Sequence, residues 1–243
     1  MQSHFSLIWE SVADAIPEHV ALIQGERRIS WRDYEDRAAR LAQGLIDAGL
    51  GHDSKVGMYL YNSPEYAETN FAAMKIGGVP INVNYRYLDE ELHYLLENAD
   101  IEALVFHSSL GDRVARVCDR LPMLKAMICV DDGPAEDGSM GPTNGVPYDI
   151  FLSQASGTAR TQPKGDEIYM LYTGGTTGMP KGVMYPLDSF TEFFMRGFPP
   201  MIGLDPFENA DEFALAARQM IDTNSAVVAM SGPPLMHGTG CWL

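Results

Sequence analysis

No two cysteines in the sequence lie close together: Cys118, Cys129 and Cys241 are odd in number and widely spaced. That excludes a disulfide framework and a zinc pattern, and it favours a reduced, cytoplasmic setting in which the three thiols serve packing. Basic residues are also scarce, 17 against 33 acidic ones, for a net charge of −16. A nucleic-acid binder displaces condensed counterions with clustered Lys and Arg, and the sequence has no such cluster. No apolar run approaches the roughly 20 residues that span a bilayer. The start Met1-Gln2-Ser3-His4 has no basic residue, and the apolar stretch after it already contains Glu10 and Asp14, so no signal peptide is expected. Internal repeats and low-complexity tracts are absent too.

What is present reads as a globular α/β chain. A hydrophobic fraction of 46 % over 243 residues suffices for one substantial core or two modest ones. Leu7, Ile8, Val12, Ala15 and Ile16 recur at helical spacing up to Pro17. Residues 20–23 and 28–31 flank Gly25-Glu26 as a hairpin. Ser30 and Asp33 form a capping box for a helix that carries Tyr34, Ala38, Leu41 and Leu45 and ends at Gly49. Strands at 56–60, 79–83, 103–106 and 126–130 alternate with helices after Ser63-Pro64, after a capping Asp89 and near 110–120. This alternation predicts a layered α/β fold with a largely parallel sheet flanked by helices. Residues 131–165 lose all periodicity and read as a long exposed connection with one short element near 148–152. Beyond it lie strands at 168–172 and 182–185, helices at 188–196 and 208–221, and a buried strand at 226–230. A boundary near 165 divides the chain into a first α/β subdomain, 1–165, and a phosphate-loop region that starts a second, 166–243.

The sharpest chemical signal is Thr173-Gly174-Gly175-Thr176-Thr177-Gly178-Met179-Pro180-Lys181-Gly182, directly after an apolar strand. Glycines let several backbone N–H groups converge on one anion, because no Cβ blocks the approach. Threonine hydroxyls donate to phosphate oxygens or offer an oxygen to Mg²⁺. Lys181 adds a point charge behind the stiffening Pro180. The net charge repels ATP at long range, so a phosphate site has to be built locally in this way. A Walker A loop does not fit, since Lys181 is followed by Gly182, and a Rossmann loop does not fit because no helix opens within the string. A mobile hairpin tip is the purely structural alternative.

Tyr172 to Val183 resembles the phosphate-loop motif of the adenylate-forming superfamily, which comprises acyl-CoA synthetases, luciferases and peptide-synthetase adenylation domains. The usual form is Y-T-S-G-T-T-G-x-P-K-G-V, and Gly174 stands here where Ser is commonest. Residues 73–86 with Glu90-Glu91-Leu92 are similar to the early K-x-G-G-x-x-x-P-L-N-P-R…E-L segment, and Pro234-Leu235-Met236-His237-Gly238 to the later P-L-x-H-G string. Gly174 together with Asn82 to Tyr87 resembles the branch acting on long-chain or bulky, steroid-derived acids.

The resemblance implies the N-terminal part of the large domain of that fold, in an enzyme that joins a carboxylic acid to ATP and then to coenzyme A. Thr173, Gly174, Gly175, Thr176, Thr177, Gly178 and Lys181 would hold the ATP phosphates, with Thr173 also a Mg²⁺ contact. His237 and Gly238 would line the acyl and adenylate pocket. No catalytic residue is assigned, because the family's adenine and ribose contacts, its Mg²⁺-binding Glu and its catalytic lysine belong to segments that follow these motifs. The expectation is therefore a fragment of an acid–thiol ligase, inactive alone and cytoplasmic, from a parent enzyme that could be a homodimer. Two alternatives stay open: a degenerate adenylation domain acting as a binding module, or a domain that loads a carrier protein.

Overall fold

The computed structural model describes residues 3–133, 145–173 and 179–242. Its helices start where side chains can satisfy the free N–H groups of a first turn. His4 Nδ1 accepts from Ser6 at the start of α1 (Phe5–Ala15), and Ser30 accepts from Asp33 at the start of α2 (Trp31–Asp47). Ser63 caps α3 (Pro64–Lys75), with Pro64 in its first turn. In α4 (Asp89–Asn98) the cap is Leu88 rather than the expected Asp89. Leu88 has no acceptor of its own, so the Glu91 carboxylate reaches back to its N–H at 3.2 Å, and Asp89 is left to favour the helix as a first-turn anion.

A hairpin of β1 (Val20–Gln24) and β2 (Arg27–Ser30) stands apart from the main sheet. That sheet contains β3 (Lys55–Tyr59), β4 (Val79–Asn82), β5 (Ile101–His107), β6 (Ala126–Val130), β7 (Val146–Pro147), β8 (Ile168–Thr173) and β9 (Lys181–Pro186). Their order is β7-β6-β5-β3-β4-β8-β9, parallel throughout except for the antiparallel pair β8–β9. The predicted, largely parallel sheet is thus present. After β4 the chain crosses back over β3 to lay down β5. Right-handed crossovers in opposite directions put their helices on opposite faces. Accordingly α3 packs with α2 and α6 (Tyr148–Gln154) against Val56, Met58, Ala103 and Val105. On the other face α4 and α5 (Gly111–Cys118) cover Tyr59, Ile81, Leu104 and Phe106. Alternate residues of β5 feed the two cores, as the strand period of two requires.

Two further expectations fail. Residues 226–230 form no strand: they are irregular, and Val227, Val228 and Met230 are exposed. A short run of β-branched and apolar residues becomes a strand only with a neighbour to pair with and a face to bury, and here it has neither. The connection after Asp131 is also less open than expected. Residues 134–144 lie outside the described residues, but Tyr148, Leu152, Ala159 and Thr161 beyond them are buried. The boundary expected near 165 falls between β7 and β8, which both belong to the one seven-stranded sheet.

The start of β4 depends on Gly77, whose φ is +67°, and on Gly78. A Cβ on Gly78 would lie 2.8 Å from the Ser54 carbonyl oxygen and 3.1 Å from that of Ala73, both backbone atoms that cannot step aside. Gly78→Ala should therefore destabilise the protein by about 1–3 kcal/mol, the usual range for overpacking. Denaturant unfolding checks this, and an unchanged midpoint would contradict the close contact.

His4 is 2 % exposed, and burial drives its pKa down to about 4. Above pH 6.5 the folded and unfolded states hold the same number of protons at this residue. As pH falls from 6.5 towards 4 only the unfolded state gains one, so stability is lost at up to about 1.4 kcal/mol per pH unit. Thermal unfolding between pH 7 and 5 should show that slope in the native protein and a flatter one in His4→Gln; equal slopes would acquit His4.

Candidate functional site

The described ends of the glycine-rich string are held as the two stems of a hairpin. Thr173, the last residue of β8, pairs with Lys181, the first of β9, and its Oγ1 lies 3.5 Å from the Lys181 carbonyl oxygen. Both side chains are exposed, and among the described residues no carboxylate lies within salt-bridge distance of Lys181. One residue back, Tyr172 faces Gly182, where a Cβ would meet the Tyr172 ring at 3.0 Å. Gly182 thus makes room for that ring. The Tyr172 hydroxyl donates to Asn98 Oδ1 at 2.8 Å, and burial raises its pKa to about 12, so it remains a neutral donor. Gly174, Gly175, Thr176, Thr177 and Gly178 lie outside the described residues.

Every strand of the main sheet but β9 runs in one direction, so Thr173 at the end of β8 and its partner Lys181 lie at the carboxyl edge, where open α/β folds bind ligands. The segment Pro234–Gly238 reaches the same edge. Asn62, just past β3, accepts from the Leu235 N–H at 2.8 Å, and Asn82, at the end of β4, donates to the Met236 carbonyl at 2.6 Å. His237 is exposed, and Gly238 opens a short helix, Gly238–Trp242. The structure therefore brings Thr173, Lys181, His237 and Gly238 to one edge.

Past the carboxyl ends of β3 and β5, where the strand order reverses, the chain's own rings pack on one another. Tyr61 donates its N–H to His107 Nδ1 at 2.9 Å and stacks on that imidazole at 5.4 Å, and its ring centroid lies 4.7 Å from that of Tyr85. Burial lowers the His107 pKa, which keeps Nδ1 a bare acceptor. Sequence reading missed Asn62, Asn82 and His107. Asn82 lay within a motif quoted above, whereas Asn62 and His107 act on partners 173 and 46 residues away, and no local pattern announces them.

Mg²⁺ requires several oxygen ligands. Thr173 offers one hydroxyl, and among the described residues the single cluster of three His, Asp or Glu side chains is His52, Asp166 and Glu167. Those residues precede β3 and β8, at the amino edge, opposite the glycine-rich string. The described residues thus fit one cation contact and not a complete site. No helix among them is long and apolar enough to cross a membrane.

Comparison with known proteins gives this edge a family. A medium/long-chain-fatty-acid–CoA/3-oxocholest-4-en-26-oate–CoA ligase of Mycolicibacterium smegmatis is 38 % identical over 94 % of this chain and 40 % of its own length. A 3-oxocholest-4-en-26-oate–CoA ligase of Rhodococcus rhodochrous is 36 % identical over 96 % of this chain and 41 % of its own. The chain thus spans about two fifths of the length of these relatives. Among solved structures, an anthranilate CoA ligase in complex with anthranoyl-AMP has a TM-score of 0.70 at 19 % identity, over 82 % of this chain and 37 % of that one. An acetoacetyl-CoA synthetase from Streptomyces lividans has a TM-score of 0.67 at 19 % identity, over 79 % and 32 %. These two share the fold. Residues 9–242 match the family described as AMP-binding enzyme, and the chain belongs to it.

Proposed function

We propose that this chain supplies the phosphate loop and one wall of the acid site in an ATP-dependent acyl-CoA synthetase. The single observation that carries this reading is the placement of Thr173, Lys181 and the Pro234–Gly238 segment at one edge of the sheet. A polyanion clamp and a candidate acid pocket on a common frame are what a reaction between a carboxylate and ATP requires. The carboxylate oxygen attacks the α-phosphorus and forms an O–P bond, the α–β bridge bond breaks, and pyrophosphate leaves. The thiol of coenzyme A then takes the acyl group and AMP departs.

In this reading Thr173, Gly174, Gly175, Thr176, Thr177 and Gly178 wrap the β- and γ-phosphates with N–H and hydroxyl donors. Lys181, free of other charge partners among the described residues, neutralises the charge that builds on the departing pyrophosphate. His237 and Gly238 form part of the wall beside the acyl-adenylate. Mg²⁺, with Thr173 Oγ1 as one contact, would add charge neutralisation. The named substrates of the relatives support a long-chain or steroid-derived acid, and their name as CoA ligases supports coenzyme A over a carrier protein as acceptor. We assign 1–165 to a first subdomain and 166–243 to the phosphate-loop region that begins a second, and we place the enzyme in the cytoplasm, where its three cysteines stay reduced.

Lys181→Ala in the full-length protein should lower acid-dependent ATP–pyrophosphate exchange by on the order of 100-fold, the usual loss when one preorganised charge stabiliser is removed. Unchanged exchange would remove Lys181 from the assigned role. Transfer to a purified carrier protein but not to coenzyme A would replace the acceptor.

A further inference from the structure

The three strings that carry the family resemblance meet at one side chain. β4 shares a single ladder position with β8, Ile81 opposite Met170. Past it, the Asn82 carboxamide takes over the pairing. Its Oδ1 accepts from the Tyr172 N–H at 2.8 Å, and its Nδ2 donates to the Tyr172 carbonyl at 3.1 Å. The side chain therefore meets both backbone groups of one residue, as a neighbouring strand would. The second N–H of the same Nδ2 goes to the Met236 carbonyl at 2.6 Å. Asn82 is 6 % exposed, and these three bonds use both its donors and its acceptor. Two carbonyls face the nitrogen and one N–H faces the oxygen, which fixes the orientation of the amide.

This chemistry admits few substitutes. Ala leaves the Tyr172 N–H and two buried carbonyls without partners. Asp matches the shape, but it turns two donors into lone pairs facing the Tyr172 and Met236 carbonyls. Gln carries the amide one methylene too far. Tyr172 immediately precedes the glycine-rich string, and Met236 immediately precedes His237.

We propose that Asn82 is a positioning residue that holds the stem of the phosphate loop and the Pro234–Gly238 segment in one fixed register, so that ATP and the acid are presented to each other at a set separation. The proposal rests on the adenylation reading above. Its energetic logic is that of pre-arranged reactants, where a displacement of about 1 Å costs on the order of 100-fold in rate. It also explains why β4 ends where it does: one more backbone pairing in place of the side chain would leave no donor for Met236.

The test uses full-length protein bearing Asn82→Asp or Asn82→Ala. The control is Val12→Ala, a buried core truncation on α1 in a cluster that contains neither Tyr172 nor Ile81. ATP–pyrophosphate exchange with a long-chain acid is measured well below each variant's Tm, together with hydrogen exchange at the amides of residues 172 and 237. Both Asn82 variants should lose 10- to 100-fold in kcat with a smaller change in either KM, and should lose protection at both amides together. Val12→Ala should lower Tm while keeping kcat within twofold of the native protein. Native-like kcat in a folded Asn82 variant, or an equal loss in the control, would overturn the proposal. If the native enzyme itself shows no acid-dependent exchange, the adenylation reading fails instead. Hydrogen exchange then decides on Asn82 alone, because unchanged protection at either amide in a folded variant would sink the coupling, and so would an Asn82→Asp protein that gains protection.

Discussion

The charges buried on α3 constrain everything packed around it. Glu65, Glu68 and Lys75 are at least nine-tenths buried on a helix that crosses beneath the sheet, and an uncompensated charge there would cost several kcal/mol. Each is answered from a distant part of the chain. Arg27 of β2 reaches Glu65 at 2.7 Å, and Arg37 of α2 reaches Glu68 at 2.8 Å, where the Tyr148 hydroxyl of α6 also donates at 2.8 Å. Lys75 sits between Glu10 of α1, at 2.5 Å, and Glu35 of α2, at 2.8 Å, while Glu10 also accepts from the Thr161 N–H. Burial alone would lift both carboxyls, and only at Glu65 does its arginine reverse the sign. The Glu65 pKa falls while that of Glu68 rises. These pairs select one docking of α1, α2, α6 and the hairpin in a way that apolar contacts alone do not, since hydrophobic burial has no direction.

With α3 fixed, β3 and β4 at its two ends are fixed as well, and β4 carries Asn82. The site thus inherits its geometry from a charge pattern on the far side of the sheet. Asn62 and Asn82 then convert two strand ends into supports for a segment that lies more than 150 residues further along the chain.

Local rules made much of this legible. Ser30 and Ser63 announce helix starts through chemistry that acts within three residues, and the amphipathic spacing of α2 and α4 needs no tertiary context. The glycine-rich string stands out in the sequence because glycine and threonine at that density suit close backbone approach to an anion, the role proposed above. Strand order was not, since β4 and β5 lie on opposite sides of β3 by virtue of pairings that sequence spacing does not encode. The misreading of 226–230 has the same origin: apolarity states a tendency, and pairing decides the outcome. Asn82 stood in plain view, but an asparagine at a strand end reads as a turn former until its partners are known.

The pairing of Thr173 with Lys181 has a further consequence for the cost of ligand capture. A ring of backbone is already closed at its base before any anion arrives. Bringing together the ends of a chain of about seven residues costs roughly 2 kcal/mol by the logarithmic scaling of loop closure, and that entropy is lost during folding rather than during binding. In the role proposed above, an anion therefore meets a string whose two ends are already paired and does not have to draw them together.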